Sequence, residues 1–461
     1  MGQRPVIVWF RRDLRVADNP ALLHAARQGS PIVPVYAADW ERGDRWAPGP
    51  AGRWWLERSL ESLGESLEAL GAPLVTLSGG PAEALVGVAQ AVGAGDVVCN
   101  RLYEPYSVGL DRQVAAALGR AGVRFTGFNA GLLFEPEGLV SRSGKPFAQF
   151  TAFWRSCLSL PEPEPPLPSP MSLRAAADIG GLGDRRSPRL DEAPRAAGQE
   201  AASTAYGSVW RPGEAGAQLR LQTFLGRVLA GYDTSRDFPG VEGTSRLSPH
   251  LQFGEVGPRR VWQAVRNAGP GEGAAAFLRQ LGWREFGHYL LFHFPWIAEQ
   301  PFRPEFAGLP WEDDPAGFAA WTQGATGYPF VDAGMRQLSA EGWMHNRARM
   351  VAASFLTKDL LISWQRGAAW FWDHLVDADL ANNTLGWQWT AGSGPDAAPY
   401  FRVFNPALQA RRFDGDGAYA GRWAPPGDPA GSNPGDGRRI VEHDEARARA
   451  LAVFRGRRAG R

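Results

Sequence analysis

"VIVWFRRDLRVADNPALL", residues 6–23, begins with five apolar, β-prone residues and ends on Asn-Pro ahead of a helix-like apolar start. The first part reads as a buried strand. Asn19 followed by Pro20 reads as a helix N-cap with proline at the first helical position. Similar β-branched runs recur at 31–37, 73–79, 96–101 and 123–129, and stretches with helical spacing lie at 20–28, 54–70, 82–92 and 109–121. Strand and helix in alternation imply a parallel sheet wound on both faces. Residues 1–130 are therefore expected to form an α/β domain on a doubly wound, five-stranded parallel sheet.

The first strand-to-helix turn of such a domain is where a dinucleotide fingerprint belongs, yet "RRDLRVADNP" contains no glycine. "GPGEG" at 269–273 follows a helical stretch and has no strand before it, so it does not serve either. The domain does not read as an ordinary NAD- or FAD-binding unit.

With 461 residues the chain exceeds one ordinary core, so a second domain is expected. Residues 131–205, with "PEPEPPLPSP" and a Gly, Ala, Arg and Ser mixture, read as a connector. From 206 to 425 strand signals fade and helical spacing dominates, including one long stretch, "HNRARMVAASFLTKDLLISW", over 345–364. An unbroken helix there would set Met350 and Trp364 about 21 Å apart. Residues 426–461 turn arginine-rich and read as a solvated tail or terminal helix.

Composition narrows the function classes. Hydrophobic residues at 44%, charged residues at 21% and the lack of a long apolar run argue against a membrane role, and the start has no signal-peptide pattern. An intracellular, cytoplasmic site is expected. Cys99 and Cys157 have no metal-ligand spacing around them, and no metal is expected. A net charge of +1 supplies no global field for nucleic acid, so DNA binding would need a local patch.

Four constellations carry chemistry. In "GTSRLSPHLQFGE" (243–255), Thr244, Ser245 and Ser248 supply hydroxyls, Arg246 supplies a fork, and Ser248-Pro249 reads as an N-cap and first helical residue aimed at an anion. In "FLRQLGWREF", helical spacing puts Phe277, Gln280 and Arg284 on one face with Trp283 beside them. Asn346 and Met350 lie one turn apart, with Arg347 and Arg349 nearby. In "DADLANNTLGWQW" (377–389), Asp379, Asn383 and Trp387 recur every four residues, flanked by Asp377 and Trp389. Buried, these polar groups need partners. A large planar heteroaromatic ligand would supply them, and so would a self-satisfied polar core; spacing leaves both open.

Together "WFRRDLRVADNPAL", "EGTSRLSPHLQFGE", "WREF", "TGYPFVDAGMRQL", "GWMHNRARM" and "DADLANNTLGWQW" followed by "DAAPYFRVFNP" resemble the photolyase and cryptochrome family, specifically the microbial class I cyclobutane pyrimidine dimer photolyases, over about residues 5–425. The resemblance implies an all-α domain holding FAD, with Tyr232, Thr244, Ser245, Arg246, Leu247 and Ser248 around its diphosphate. Phe277, Arg284, Asn346, Asp377, Asp379 and Asn383 would line the flavin. It implies light-driven repair of UV-damaged DNA by electron transfer from excited FADH⁻ to a flipped-out dimer, in a monomer acting beside chromosomal DNA. Gln280, Asn346, Met350 and Asn383 would act at the reacting centre. Trp283 and Trp389 would wall the lesion, while Arg236, Arg347 and Arg402 would hold phosphates. Trp387, Trp364 and Trp311 would pass electrons to the flavin. An antenna chromophore is implied between the domains, but its identity is not legible: Glu104 lies in an antenna-type loop, yet Leu102 replaces the acidic residue of deazaflavin binders, and "DRWAPGP" lacks a folate-binding histidine.

One position departs from the pattern. Dimer photolyases usually carry glutamate where this chain has Gln280, whereas 6-4 photolyases and many cryptochromes carry glutamine. Asn346 and Met350, however, stand where 6-4 photolyases carry histidines. The alternatives are a cryptochrome-like blue-light receptor without repair, a 6-4 photoproduct photolyase and, more distantly, an electron-transfer flavoprotein.

Overall fold

The computed structural model describes residues 3–38, 45–77, 79–177, 205–397, 399–400, 402–425 and 439–459. Strand β1 (Val6–Phe10) lies between β2 (Ile32–Ala37) and β4 (Asp96–Asn100), with β3 (Val75–Leu77) and β5 (Arg124–Phe128) at the edges. All four pairings are parallel, in the order β3-β2-β1-β4-β5. This is the sheet expected from the alternation.

The two-residue period of a strand sends neighbours to opposite faces. Val6, Val8 and Phe10 pack with α1 (Pro20–Arg27) and α2 (Pro50–Ala69). Ile7 and Trp9 pack with α3 (Pro81–Val92) and α4 (Pro105–Arg120). Both faces are thus covered, which is why the central strands read as unbroken apolar runs. Asn19 caps α1, its side chain accepting from the Leu22 N–H at 3.1 Å.

The helical half is built from α5 (Phe150–Leu158), α6 (Glu214–Arg227), α7 (Ser248–Gln252), α8 (Pro258–Asn267), α9 (Glu272–His293), α10 (Pro315–Gln323), α11 (Pro329–Glu341), α12 (Asn346–Ser354), α13 (Trp364–His374), α14 (Leu380–Ala391), α15 (Pro406–Phe413) and α16 (His443–Ala459), with shorter turns between them. Two expectations need correcting. Residues 131–158 are no loose connector: Leu133, Phe134, Phe150, Phe153 and Trp154 enter the helical core, because 150, 153, 154 and 157 share one apolar side of α5. The connector's 178–204 lie outside the described residues.

The stretch 345–364 is not one helix either. After α12 the chain widens into a π-type turn over Phe355–Asp359, and Leu361 takes a left-handed backbone with φ of 54°. Buried Lys358 and Asp359 find partners outside the helix, the Arg402 carbonyl at 3.0 Å and His443 at 2.5 Å. The second of these contacts, with Arg449 on the Asp359 carbonyl and Phe454 stacked on Tyr400, docks α16. Within the expected tail, the described residues thus end in a terminal helix.

The halves are joined through Glu255, which is 1% exposed. It accepts from the Trp55 indole at 2.9 Å and the Gly213 N–H at 2.6 Å, and bonds Ser59 and His250. Beside it, Gly254 has φ of 65° and its carbonyl accepts from Arg15. A Cβ there would meet the Arg12 carbonyl and the Asp13 backbone. Gly254→Ala combines left-handed strain with this clash and is expected to cost about 1–3 kcal/mol in urea unfolding.

Candidate active site

A cavity of about 530 Å³ opens in the helical half, within the size range of small-molecule sites. Helix α9 contributes Phe277, Gln280, Trp283 and Arg284. Helix α12 contributes Asn346, Arg349 and Met350, and Asp377 with α14 contributes Asp379, Asn382, Asn383, Trp387 and Trp389. Tyr232, Arg236, Thr244, Ser245, Leu247 and Ser248 complete the wall. The faces drawn from helical spacing therefore converge on one space.

Local chemistry fixes these groups. Asp379 is the N-cap of α14, one oxygen accepting from the Asn382 N–H at 2.7 Å and the other bonded to His288 Nε2 at 3.0 Å. Burial alone would raise its carboxyl, but His288 and then Arg284 hold it far below the ordinary carboxylate range. Asp377 is gripped by both of its oxygens from Arg349, at 3.0 and 2.8 Å. Arg284 donates to the Gly131 carbonyl at 2.8 Å, tying α9 to the loop after β5. The Asn383 amide nitrogen donates to the Ala368 carbonyl at 3.0 Å, so the amide oxygen remains as an acceptor. Trp283 lies flat on Phe150, with ring centres 3.8 Å apart and planes 8° from parallel.

Several candidates are held differently from the expectation. Arg246, with φ of 52°, turns its fork to Glu341 at 2.6 Å and sits over the Trp210 and Trp343 rings rather than on the cavity wall. Ser248 is the first helical residue of α7 and Leu247 the cap, one position earlier than expected, and Ser248 makes no capping bond; its hydroxyl accepts from Trp343 instead. Arg347 pairs with Asp237 at 2.9 Å over the Phe413 ring. Arg402 is exposed and off the wall. Trp364 is buried and Trp311 half-buried, and neither is on the cavity wall. The rings in contact with Trp387 are Phe371 at 5.0 Å and Trp321 at 6.2 Å.

Sequence reasoning missed Gln252, which donates to the Ala378 carbonyl at 2.6 Å and lines the cavity. It also missed His288 and the Arg349–Asp377 pairing. Such contacts span 28 to 126 residues, and no local period records them.

A second cavity, of about 180 Å³, lies between the halves at the carboxyl ends of the strands. Arg11, Arg12, Tyr36 and Glu104 face Trp46, Phe253 and Trp372 across it. Among the described residues no acidic, His and Cys cluster is arranged to hold a metal, and no helix is long and apolar enough to cross a membrane. Both cysteines are buried, and burial pushes the Cys99 thiol up to about 12.

Comparison with known proteins agrees with this geometry. Residues 6–171 match the family described as DNA photolyase, and 277–429 match the FAD binding domain of DNA photolyase. The chain is 44% identical to a deoxyribodipyrimidine photo-lyase of Agrobacterium fabrum, over 91% of this chain and 87% of the relative. It is 39% identical to Cryptochrome-1 of Arabidopsis thaliana, over 91% of this chain and 62% of the relative. A class III photolyase structure from Agrobacterium tumefaciens superposes with a TM-score of 0.92 at 41% identity, covering 100% of this chain and 98% of that one. This neighbour is class III, so the expected class I placement finds no support. The sheet, the helical cavity and these matches together make the chain a member of the photolyase and cryptochrome family.

Proposed function

We propose that the protein binds FAD in the helical cavity and uses light to repair cyclobutane pyrimidine dimers in UV-damaged DNA. The observation that carries this reading is the two-sided make-up of one cavity. Hydroxyls of Thr244, Ser245 and Ser248, with the guanidinium groups of Arg284 and Arg349, suit a diphosphate and ring carbonyls, and the free oxygen of Asn383 suits a ring N–H. Trp283, Trp389, Gln280 and Met350 offer the other side to a flipped-out pair of joined pyrimidines. The chemistry that bound reduced FAD supplies is electron transfer to the dimer on excitation, with the electron returned once the ring has opened.

The chain's own residues seat and orient the lesion. A damaged pair leaves the stack at lower cost than an intact one. Trp283, braced by Phe150, gives it a fixed π-face, and Trp389 gives a second. The Gln280 amide donates to a pyrimidine carbonyl where a carboxylic acid would otherwise do so. Phosphate contacts fall to Arg236 on the cavity wall and make binding salt dependent. Antenna pigment is assigned to the interdomain cavity, where Trp46 and Trp372 meet edge-to-face at 5.5 Å beside Arg11 and Arg12.

The test is repair of an oligonucleotide carrying one thymine dimer by purified, reduced, flavin-loaded protein. Blue light is expected to restore the thymines and darkness to leave them joined. Absence of light-dependent repair with reduced flavin bound would favour a blue-light receptor, the reading that Gln280 and the likeness to Cryptochrome-1 support.

A further inference from the structure

Three cavities stand in series and share walls. Arg12, Glu104 and Gln252 line the interdomain cavity; the same three residues, with His288 and Arg284, line a small one of about 30 Å³; and Gln252 and Arg284 line the large cavity together with Asp379. The small cavity has room for about two water molecules. His288, on α9 and 7% exposed, bonds Asp379 through Nε2 at 3.0 Å. Glu104, 4% exposed at the start of α4, is paired with Arg12 at 2.7 Å. One imidazole therefore bonds one buried carboxylate and lines a water-sized space together with a second.

The groups facing His288 come from every side. Arg284 and Glu285 share its helix, Asp379 heads α14, Glu104 heads α4, and Arg12, Arg15, Arg101 and Tyr103 rim the small cavity. Burial raises the Glu104 carboxyl, but Arg12 and then His288 bring it below its ordinary range, as His288 does for Asp379. Both carboxylates are thus ionised at neutral pH. Negative charge added to the large cavity acts on that ring through low-dielectric protein, where the interaction is strong. It favours the imidazolium.

We propose that His288 takes up a proton when flavin in the large cavity is reduced, with water in the small cavity beside Glu104 as its immediate source. The step rests on the FAD reading above. Electrons come from the reductant and the proton from water; an N–H bond on the ring is the one bond formed at His288. It acts through Asp379, as a positioning residue that offsets the flavin's added charge.

The experiment is spectroelectrochemical measurement of the flavin midpoint potential against pH, over about pH 6–8 where histidine titrates, on the wild-type holoprotein, H288Q and H288R. The glutamine keeps a donor to Asp379 without titrating, and the arginine keeps a permanent cation. The wild type is expected to take up as much as one more proton per flavin than either variant, seen as a steeper slope. Equal slopes in all flavin-loaded proteins would overturn the proposal. Should H288Q shed its flavin, the H288R comparison decides. Failure of the wild type to hold flavin would instead overturn the FAD reading.

Discussion

Trp283→Ala is expected to weaken binding of a dimer-containing oligonucleotide by about 5- to 150-fold, the equivalent of about 1–3 kcal/mol for one lost stacking face. Binding of the same undamaged duplex should hardly change, because an intact base pair does not enter the cavity. The ring owes its orientation to Phe150, 3.8 Å away and nearly parallel, on a different helix. Trp283→Phe keeps a π-face on that support and is expected to recover most of the affinity. Gel-shift titration of damaged and undamaged oligonucleotides checks both. Equal losses on the two DNAs would mean that the indole packs the fold and does not read the lesion.

Removing the guanidinium beneath the same cavity should be felt more widely. The Asp377 side chain is 3% exposed and its two oxygens are both taken by Arg349, which is 25% exposed. Arg349→Met leaves an uncompensated buried carboxylate, at a cost of about 3–5 kcal/mol for a fully buried pair and about 2–4 kcal/mol here, since water reaches part of the arginine. Denaturant unfolding should register that loss, and flavin absorbance in the purified protein should fall with it. The double variant Arg349→Met, Asp377→Asn removes the orphaned charge and should be more stable than the single one. A single variant with wild-type stability and full flavin would show that Asp377 finds another partner.

What could be read from the sequence was what repeats locally. Alternating β-branched runs and helical spacings placed the parallel sheet, and the Asn19-Pro20 start was a cap as expected. Phe277, Gln280 and Arg284 were placed on one helix face by spacing alone, as were Asn346 and Met350, and all five reach the cavity. Side-chain direction was not legible where a distant partner sets it. Arg246 belongs by position to the serine-rich loop, yet Glu341, 95 residues on, draws it away. No glycine or proline marks the break at Phe355–Asp359; it is made by buried Lys358 and Asp359 reaching for the 400s loop and α16. The role of His288 was not legible because its partner Asp379 is 91 residues away.

The seam at Glu255 bears on optics as well as on folding. Resonance transfer between two pigments depends on the relative tilt of their transition dipoles, and a wobbling joint would average that tilt away. Here one buried carboxylate is grasped by an indole, a hydroxyl, an imidazole and a main-chain amide drawn from both halves. On the antenna reading, a dye seated in the cleft would thus keep one bearing toward a flavin in the helical cavity.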